Sequence, residues 1–304
     1  MRPPAILLAL ALALACGAAA SGLSAARPPY TGAAPTLAPV QTRAVERDGV
    51  TLAVGEPVAA TAPNALSARE PPLLLDTLND TEIARRLASD PGSLGAMSIG
   101  GPNHGALFNA AQLPDGTLWR VVEPDRAWGA PEALASIETA IERVHAEFPD
   151  SPPLYVGHLS ARHGGYLRPH RSHQSGRDVD LGYFYLGGPG WYARASAKNL
   201  DVVRTWALVK AFASDPNVEA IFMDRSVQRL LSDHAEANGE RAEWLFEGSH
   251  RGGEHLVRHE WGHLTHLHVR FRCTEAMLAG ERSEKELLLA RLIPPNAYHA
   301  PRRH

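Results

Sequence analysis

Two histidine-bearing stretches carry most of the chemistry this sequence offers. One is HLTHLHVRF at residues 263–271, with three histidines, His263, His266 and His268, inside six residues and apolar side chains at alternate positions beyond. A period of two predicts a strand with His266 and His268 on one face and Leu267 and Val269 turned the other way, toward a core. The other is HRSHQSGRDVD at residues 170–180, in which His170 and His173 precede Gly176, Asp178 and Asp180. A histidine on a loop, a turn at Ser175-Gly176 and an aspartate entering a strand can bring imidazole and carboxylate to one point. Together with the His-x-His pair they supply nitrogen, oxygen and nitrogen donors from two distant segments.

Zinc suits such a set, because a catalytic zinc takes three protein ligands from His and Asp or Glu and keeps a fourth position for water. Bound zinc lowers the pKa of water to about 7 and polarises a carbonyl oxygen. A neutral imidazole nearby can take the water proton and return it to a leaving amine. Amide hydrolysis needs each of these roles. Asp178 and Asp180 share strand parity, so spacing leaves both open as the carboxylate ligand; the other role for Asp178 is a carboxylate beside Arg177 that orients a ligand.

A competing pattern, HEWGH at residues 259–263, matches His-Glu-x-x-His. A zincin needs both histidines on one helix face. Gly252-Gly253 ahead of the motif and Gly262 inside it argue against a helix, and the downstream spacing of a metzincin third ligand is missing. His158 and His163 lie close enough to the 170–180 loop in sequence to touch a substrate, whereas His145 and His234, each on a helix pattern, are expected to be solvated.

The elements that must position these residues follow from periodicity and breakers. A short helix is expected from Asp80 through Ala88, and an amphipathic one over 131–148 with Leu134, Ile137, Ala140, Ile141 and Val144 on its apolar stripe and Pro131 in its first turn. Residues 154–159 read as a strand, a long loop leads into a second strand at VDLGYFYL, and helices over 199–214 and 226–238 flank a strand at 218–223. The segment 96–114 is rich in Gly and Asn and reads as irregular chain with short extended pieces, and 284–292 can form a last helix. Strands and helices without regular alternation predict an α+β fold, a small, mainly antiparallel sheet with flanking helices in a single catalytic domain.

At 304 residues with 44% hydrophobic and 21% charged content, the chain has room for a sizeable core. A formal net charge of -3 provides no broad basic field, which excludes the wrapping of nucleic acid. Residues 1–20, with Arg2, an apolar run from Ala5 to Ala15 and small residues after it, read as a secretory signal peptide too short in its apolar run for a transmembrane span. Cys16 also resembles a lipoprotein acylation site. Residues 21–72, rich in Ala and Pro, read as a disordered spacer. The organised domain is expected over 73–275, with 276–304 as a C-terminal extension. Cys273, one of two cysteines, has no partner once Cys16 is removed or lipidated.

The segments SHQSGRDVDL and WGHLTHLHVRFRC, with SIGGPNHGALFNAAQLP ahead of them, resemble the penicillin-insensitive murein endopeptidase family, over about residues 93–273. The resemblance implies an exported, periplasmic zinc peptidase with the fold of the lysostaphin and D-Ala-D-Ala metallopeptidases. It implies zinc on His173, Asp180 and His268, His266 as general base, and His263 and His170 lining the site to hold substrate or oxyanion. It further implies a peptidoglycan substrate, the bond between D-alanine and meso-diaminopimelic acid in cross-linked peptides. The chain departs from the best-known type in lacking its several disulfide cysteines.

Two other readings use the same residues. A D,D-carboxypeptidase or dipeptidase on stem peptides would need a cation for a terminal carboxylate, for which Arg162, Arg168 and Arg171 are candidates. A non-catalytic wall- or metal-binding module would have no use for a base such as His266.

Overall fold

Apolar side chains at Val179, Leu181, Leu267 and Val269 alternate with polar ones, and that alternation sets the architecture. The computed structural model describes residues 77–242, 245–246, 255–289 and 293. The expected leader with Cys16 and the expected Ala/Pro-rich spacer lie outside the described residues, as does the chain after 293. Among the described residues no helix is long and apolar enough to cross a membrane.

Ahead of the main sheet come α1 (Asp80–Ser89), whose Asn79 cap accepts from the Glu82 amide, and the hairpin of β1 (Met97–Gly101) and β2 (His104–Phe108). β3 (Ala111–Gln112) pairs with β5 (Trp128–Gly129) as a second small ladder, with β4 (Trp119–Val121) between them in sequence. Then follow α2 (Pro131–Glu147), β6 (Leu154–Val156), β7 (Asp178–Gly182), α3 (Val202–Ala213), β8 (Val218–Met223) and α4 (Arg225–Ala237). β9 (Val257–His259), β10 (His266–Phe271) and α5 (Thr274–Leu289) complete the chain.

Six strands form the main sheet in the order β4-β6-β7-β10-β8-β9. The fold is α+β as expected, but the sheet is larger and mixed. Its centre is antiparallel, β6 to β7, β7 to β10 and β10 to β8, while β4 with β6 and β8 with β9 are parallel. The reason lies in the connections: α2 carries the chain from β4 to β6 and α4 carries it from β8 to β9, and parallel neighbours require such a crossover. One face of the sheet buries Val179, Leu181, Leu267 and Val269 in a core with Ile137 and Ile141 of α2 and Leu208, Val209 and Phe212 of α3. The other face of the same strands carries Asp178, Asp180, His266 and His268.

Three local outcomes differ from the sequence reading. His145 is buried, not solvated, because it sits on the last turn of α2 beside Leu118, and burial pulls its pKa down. The strand expected over 263–271 begins only at His266, so that His263 stands on the preceding turn. The last helix begins at Thr274, well ahead of 284, and packs against β1 in a second core that joins Ile83, Leu87, Met97, Ile99 and Leu287. Cys273 is a buried free thiol.

Buried Arg177 ties that second core to the 170–180 loop, donating from Nη2 to the Gly100 carbonyl at 3.1 Å and from Nε to Ser175 Oγ at 3.3 Å. The loop turns at Gly176, where φ is +68° and a Cβ would stand 2.5 Å from Leu107 Cδ2. Only glycine meets both conditions.

Candidate metal centre

Register builds the centre. β10 runs antiparallel to β7 so that His268 faces Asp180, Arg270 faces Asp178 and His266 faces Gly182. Because every second residue shares a face, Asp178, Asp180, His266, His268 and Arg270 form one polar patch on these two strands.

Asp178 is fully committed. Its Oδ1 accepts from His268 Nε2 at 2.9 Å and from Arg270 Nε at 2.8 Å, and its Oδ2 accepts from the His173 backbone amide at 3.0 Å. Burial would raise its pKa, but the charge and hydrogen bond of His268, with Arg270 behind them, hold the carboxyl well below the usual carboxylate range. Since an ionised carboxylate only accepts, His268 carries its proton on Nε2, which leaves Nδ1 turned toward Asp180. Against the downward pull of burial, Asp178 and then Asp180 push His268 up to about 9, and a metal at Nδ1 would take the place of that second proton.

Asp180 is the opposite case. Its Oδ1 lies 3.3 Å from His173 Nε2, 3.2 Å from His268 Nδ1 and 3.6 Å from His266 Nε2, while Oδ2 lies 3.7 Å from His170 Nδ1. Both oxygens, and His173 Nε2, are buried without a hydrogen-bond partner among the described residues. Orphaned buried donors and acceptors are costly, so so many around one point indicate a missing group that they share. Burial favours the protonated acid, yet His173 and His268 hold Asp180 far below its ordinary pKa, in the form that binds a cation.

His173 is pinned for the same geometry. It is completely buried, adopts φ +65°, a left-handed conformation in which histidine is one of the few enriched side chains, and places Nδ1 2.8 Å from the Leu159 carbonyl. Nδ1 therefore donates, and Nε2 offers its lone pair to the centre.

Among the described residues three groups of side chains sit close enough to hold a metal ion, and all contain Asp180: with His173 and His268, with His263 and His266, and with His158 and His170. Two ligands of one tetrahedral zinc, each about 2.0–2.2 Å from it, stand roughly 3.3 Å apart. The contacts of Asp180 Oδ1 with His173 and His268, at 3.3 and 3.2 Å, match that edge. His158 Nδ1 and His170 Nε2 are 2.6 Å apart, the distance of a hydrogen bond and too short for two ligands of one ion.

The other sequence candidates surround this point. His266 has its Nδ1 3.0 Å from Thr265 Oγ1, and burial lowers its pKa. The ring of His263 lies 4.9 Å from that of His266 and 5.6 Å from that of His268, and burial pushes it down to about 4. The His170 ring is tilted against that of His173 with centroids 4.3 Å apart, and its pKa is pushed down to about 3, chiefly by burial. His158 reaches the group through His170, whereas His163 is exposed. In HEWGH, His259 is on β9 and His263 on a turn, so no helix joins them. Arg162, Arg168 and Arg171 are exposed, the first lying over the Trp128 ring at 5.3 Å.

Two features escape the sequence reading. Glu123 Oε1 lies 2.9 Å from His158 Nε2. An aromatic wall also stands beside His266, with the Tyr192 ring 5.5 Å from it and Trp191 4.9 Å behind Tyr192. A Cβ at Gly157 would come within 2.0 Å of the Trp191 ring, so that glycine makes room for the wall. The signal that was there to be read is GGPGWY, an aromatic pair delivered on a Gly/Pro turn.

Fold and centre define an α+β protein with a buried His/Asp cluster of the kind that binds a metal ion. The chain belongs to the penicillin-insensitive murein endopeptidase family, whose model matches residues 98–286 and so runs on into α5. It is 29% identical over 212 residues to the penicillin-insensitive murein endopeptidase of Haemophilus influenzae, covering 63% of this chain and 68% of that protein. It is 31% identical over 224 residues to that of Pectobacterium atrosepticum, covering 67% of this chain and 73% of the relative.

Proposed function

We propose that this protein is a zinc-dependent peptidoglycan endopeptidase of the periplasm or envelope, hydrolysing the D-alanyl–meso-diaminopimelate bond of cross-linked peptides. The observation that carries the zinc reading is the convergence of buried, unpartnered atoms on one point, His173 Nε2 and the Asp180 oxygens, with His268 Nδ1 3.2 Å from Oδ1. In this reading His173, Asp180 and His268 are the ligands and Asp178 orients two of them through the His173 amide and His268 Nε2. Zinc, when bound there, supplies the Lewis acidity that polarises a carbonyl and makes water a usable nucleophile near neutral pH.

The remaining work falls to the chain's own residues. With Nδ1–H given to Thr265 Oγ1, His266 turns the lone pair of Nε2 toward the centre, where it accepts the proton of the attacking water and returns it to the leaving amine. Burial lowers the pKa of that imidazole and so favours its neutral form, whose lone pair can take a proton. His263 packs against His266 and, with His170 on the other side, lines the site and holds the substrate. Export is supported by the leader-like residues 1–20 and by family membership.

Purified protein given cross-linked muropeptide dimers should release monomers. Release of free D-alanine from a linear D-Ala-D-Ala stem peptide, with dimers untouched, would move the assignment to a carboxypeptidase. Asp178→Asn tests the support of the ligands: loss of a hydrogen-bonding partner behind metal ligands costs about 10–100-fold in metal affinity or activity. Zinc titration and dimer turnover should register such a loss, and wild-type values for both would remove Asp178 from the account.

A further inference from the structure

A chain of side chains leads away from the centre toward solvent. Glu123, on the segment after β4, is half exposed and accepts from two sides: Arg126 Nε lies 2.9 Å from Oε2 and His158 Nε2 lies 2.9 Å from Oε1. The hydrogen bond from His158 holds the Glu123 carboxyl below its usual pKa, so it is an acceptor only. The next link is His158 Nδ1 to His170 Nε2 at 2.6 Å, with the rings edge to face. Beyond it, His170 Nδ1 points at Asp180 Oδ2 at 3.7 Å.

One proton assignment satisfies this chain with neutral rings. The Glu123 carboxylate requires N–H at His158 Nε2, so His158 Nδ1 is a lone pair; that lone pair takes the N–H of His170 Nε2, and His170 Nδ1 is left without a proton. The opposite assignment would need a second proton on buried His158, a cation whose nearest carboxylate is already shared with Arg126.

We propose that Glu123 and His158 are positioning residues that fix His170 as its Nε2–H tautomer, so that His170 Nδ1 and Asp180 Oδ2 form a paired acceptor for one substrate N–H or water beside the reacting bond. The pair fits such a group because two acceptors 3.7 Å apart can both be reached by one donor at ordinary hydrogen-bond lengths, and Asp180 Oδ2 is buried with no hydrogen-bond partner among the described residues. The inference rests on the peptidase reading for the identity of the donor, but the tautomer itself does not depend on that reading.

The test uses zinc-loaded full-length protein labelled with nitrogen-15 and long-range proton–nitrogen NMR of its imidazoles. His170 should show a protonated Nε2 and a bare Nδ1. Glu123→Gln, which keeps size and hydrogen bonding but can also donate, should give a mixture of the two tautomers, with kcat for muropeptide dimers lowered about 10-fold, and KM and zinc content unchanged. A wild-type His170 with its proton on Nδ1, or a Glu123→Gln protein with wild-type kcat, would overturn the proposal. Should the wild-type protein leave dimers intact, the endopeptidase reading fails, and the spectra still decide the tautomer.

Discussion

His173→Ala is expected to abolish both zinc binding and turnover. The imidazole is completely buried, its Nδ1 is spent on the Leu159 carbonyl, and its Nε2 lies 3.3 Å from Asp180 Oδ1 with no other partner. Nothing else in the loop can substitute. His170 is turned to His158 and to the other Asp180 oxygen, and a water in the vacated space would be a neutral third ligand in a centre that then keeps only two protein donors. Elemental analysis of the dialysed variant should find less than a tenth of the wild-type zinc, and dimer turnover should fall to background. Zinc content near wild type would remove His173 from the ligand set.

His266→Ala should part the two properties that His173→Ala loses together. His266 Nε2 is 3.6 Å from Asp180 Oδ1, outside the 3.2–3.3 Å spacing of the other two histidines, and its position opposite Gly182 puts it two residue pairs along the ladder from the His268–Asp180 pair. The variant should therefore keep its zinc. A positioned general base contributes about 10²–10⁴-fold, and kcat should drop by that order with the fold unchanged. Dimer hydrolysis at the wild-type rate would show that another group, His170 foremost, takes the proton.

Much of the centre was legible because strand periodicity is local. The alternation in HLHVRF put His266 and His268 on one face, and the Gly176 turn brought His173 back over the strand that carries Asp180, as the spacing suggested. The choice between Asp178 and Asp180 was not legible, since both share a face. What separates them is tertiary: Asp178 meets Arg270 and the His173 amide, while the Asp180 oxygens, ringed by imidazole nitrogens, have no hydrogen-bond partner among the described residues. Glu123 stayed hidden because its partner His158 is 35 residues away and no periodicity links a turn to a strand end. The mixed sheet was missed for a like reason. Strand order is decided by crossovers through α2 and α4, and a run of apolar residues does not record which neighbour it will find. His145 went wrong because a single polar residue on a helix follows the packing of the turn it occupies, not its own preference.

The central claim is that a metal held at Asp180 drives cleavage of peptidoglycan cross-links. The most direct measurement is zinc content alongside turnover of muropeptide dimers, before chelation, after it, and after zinc is restored. One zinc per chain is expected, with turnover lost on chelation and recovered on add-back. A chain that carries no metal, or that cleaves dimers equally well after chelation, would contradict the account.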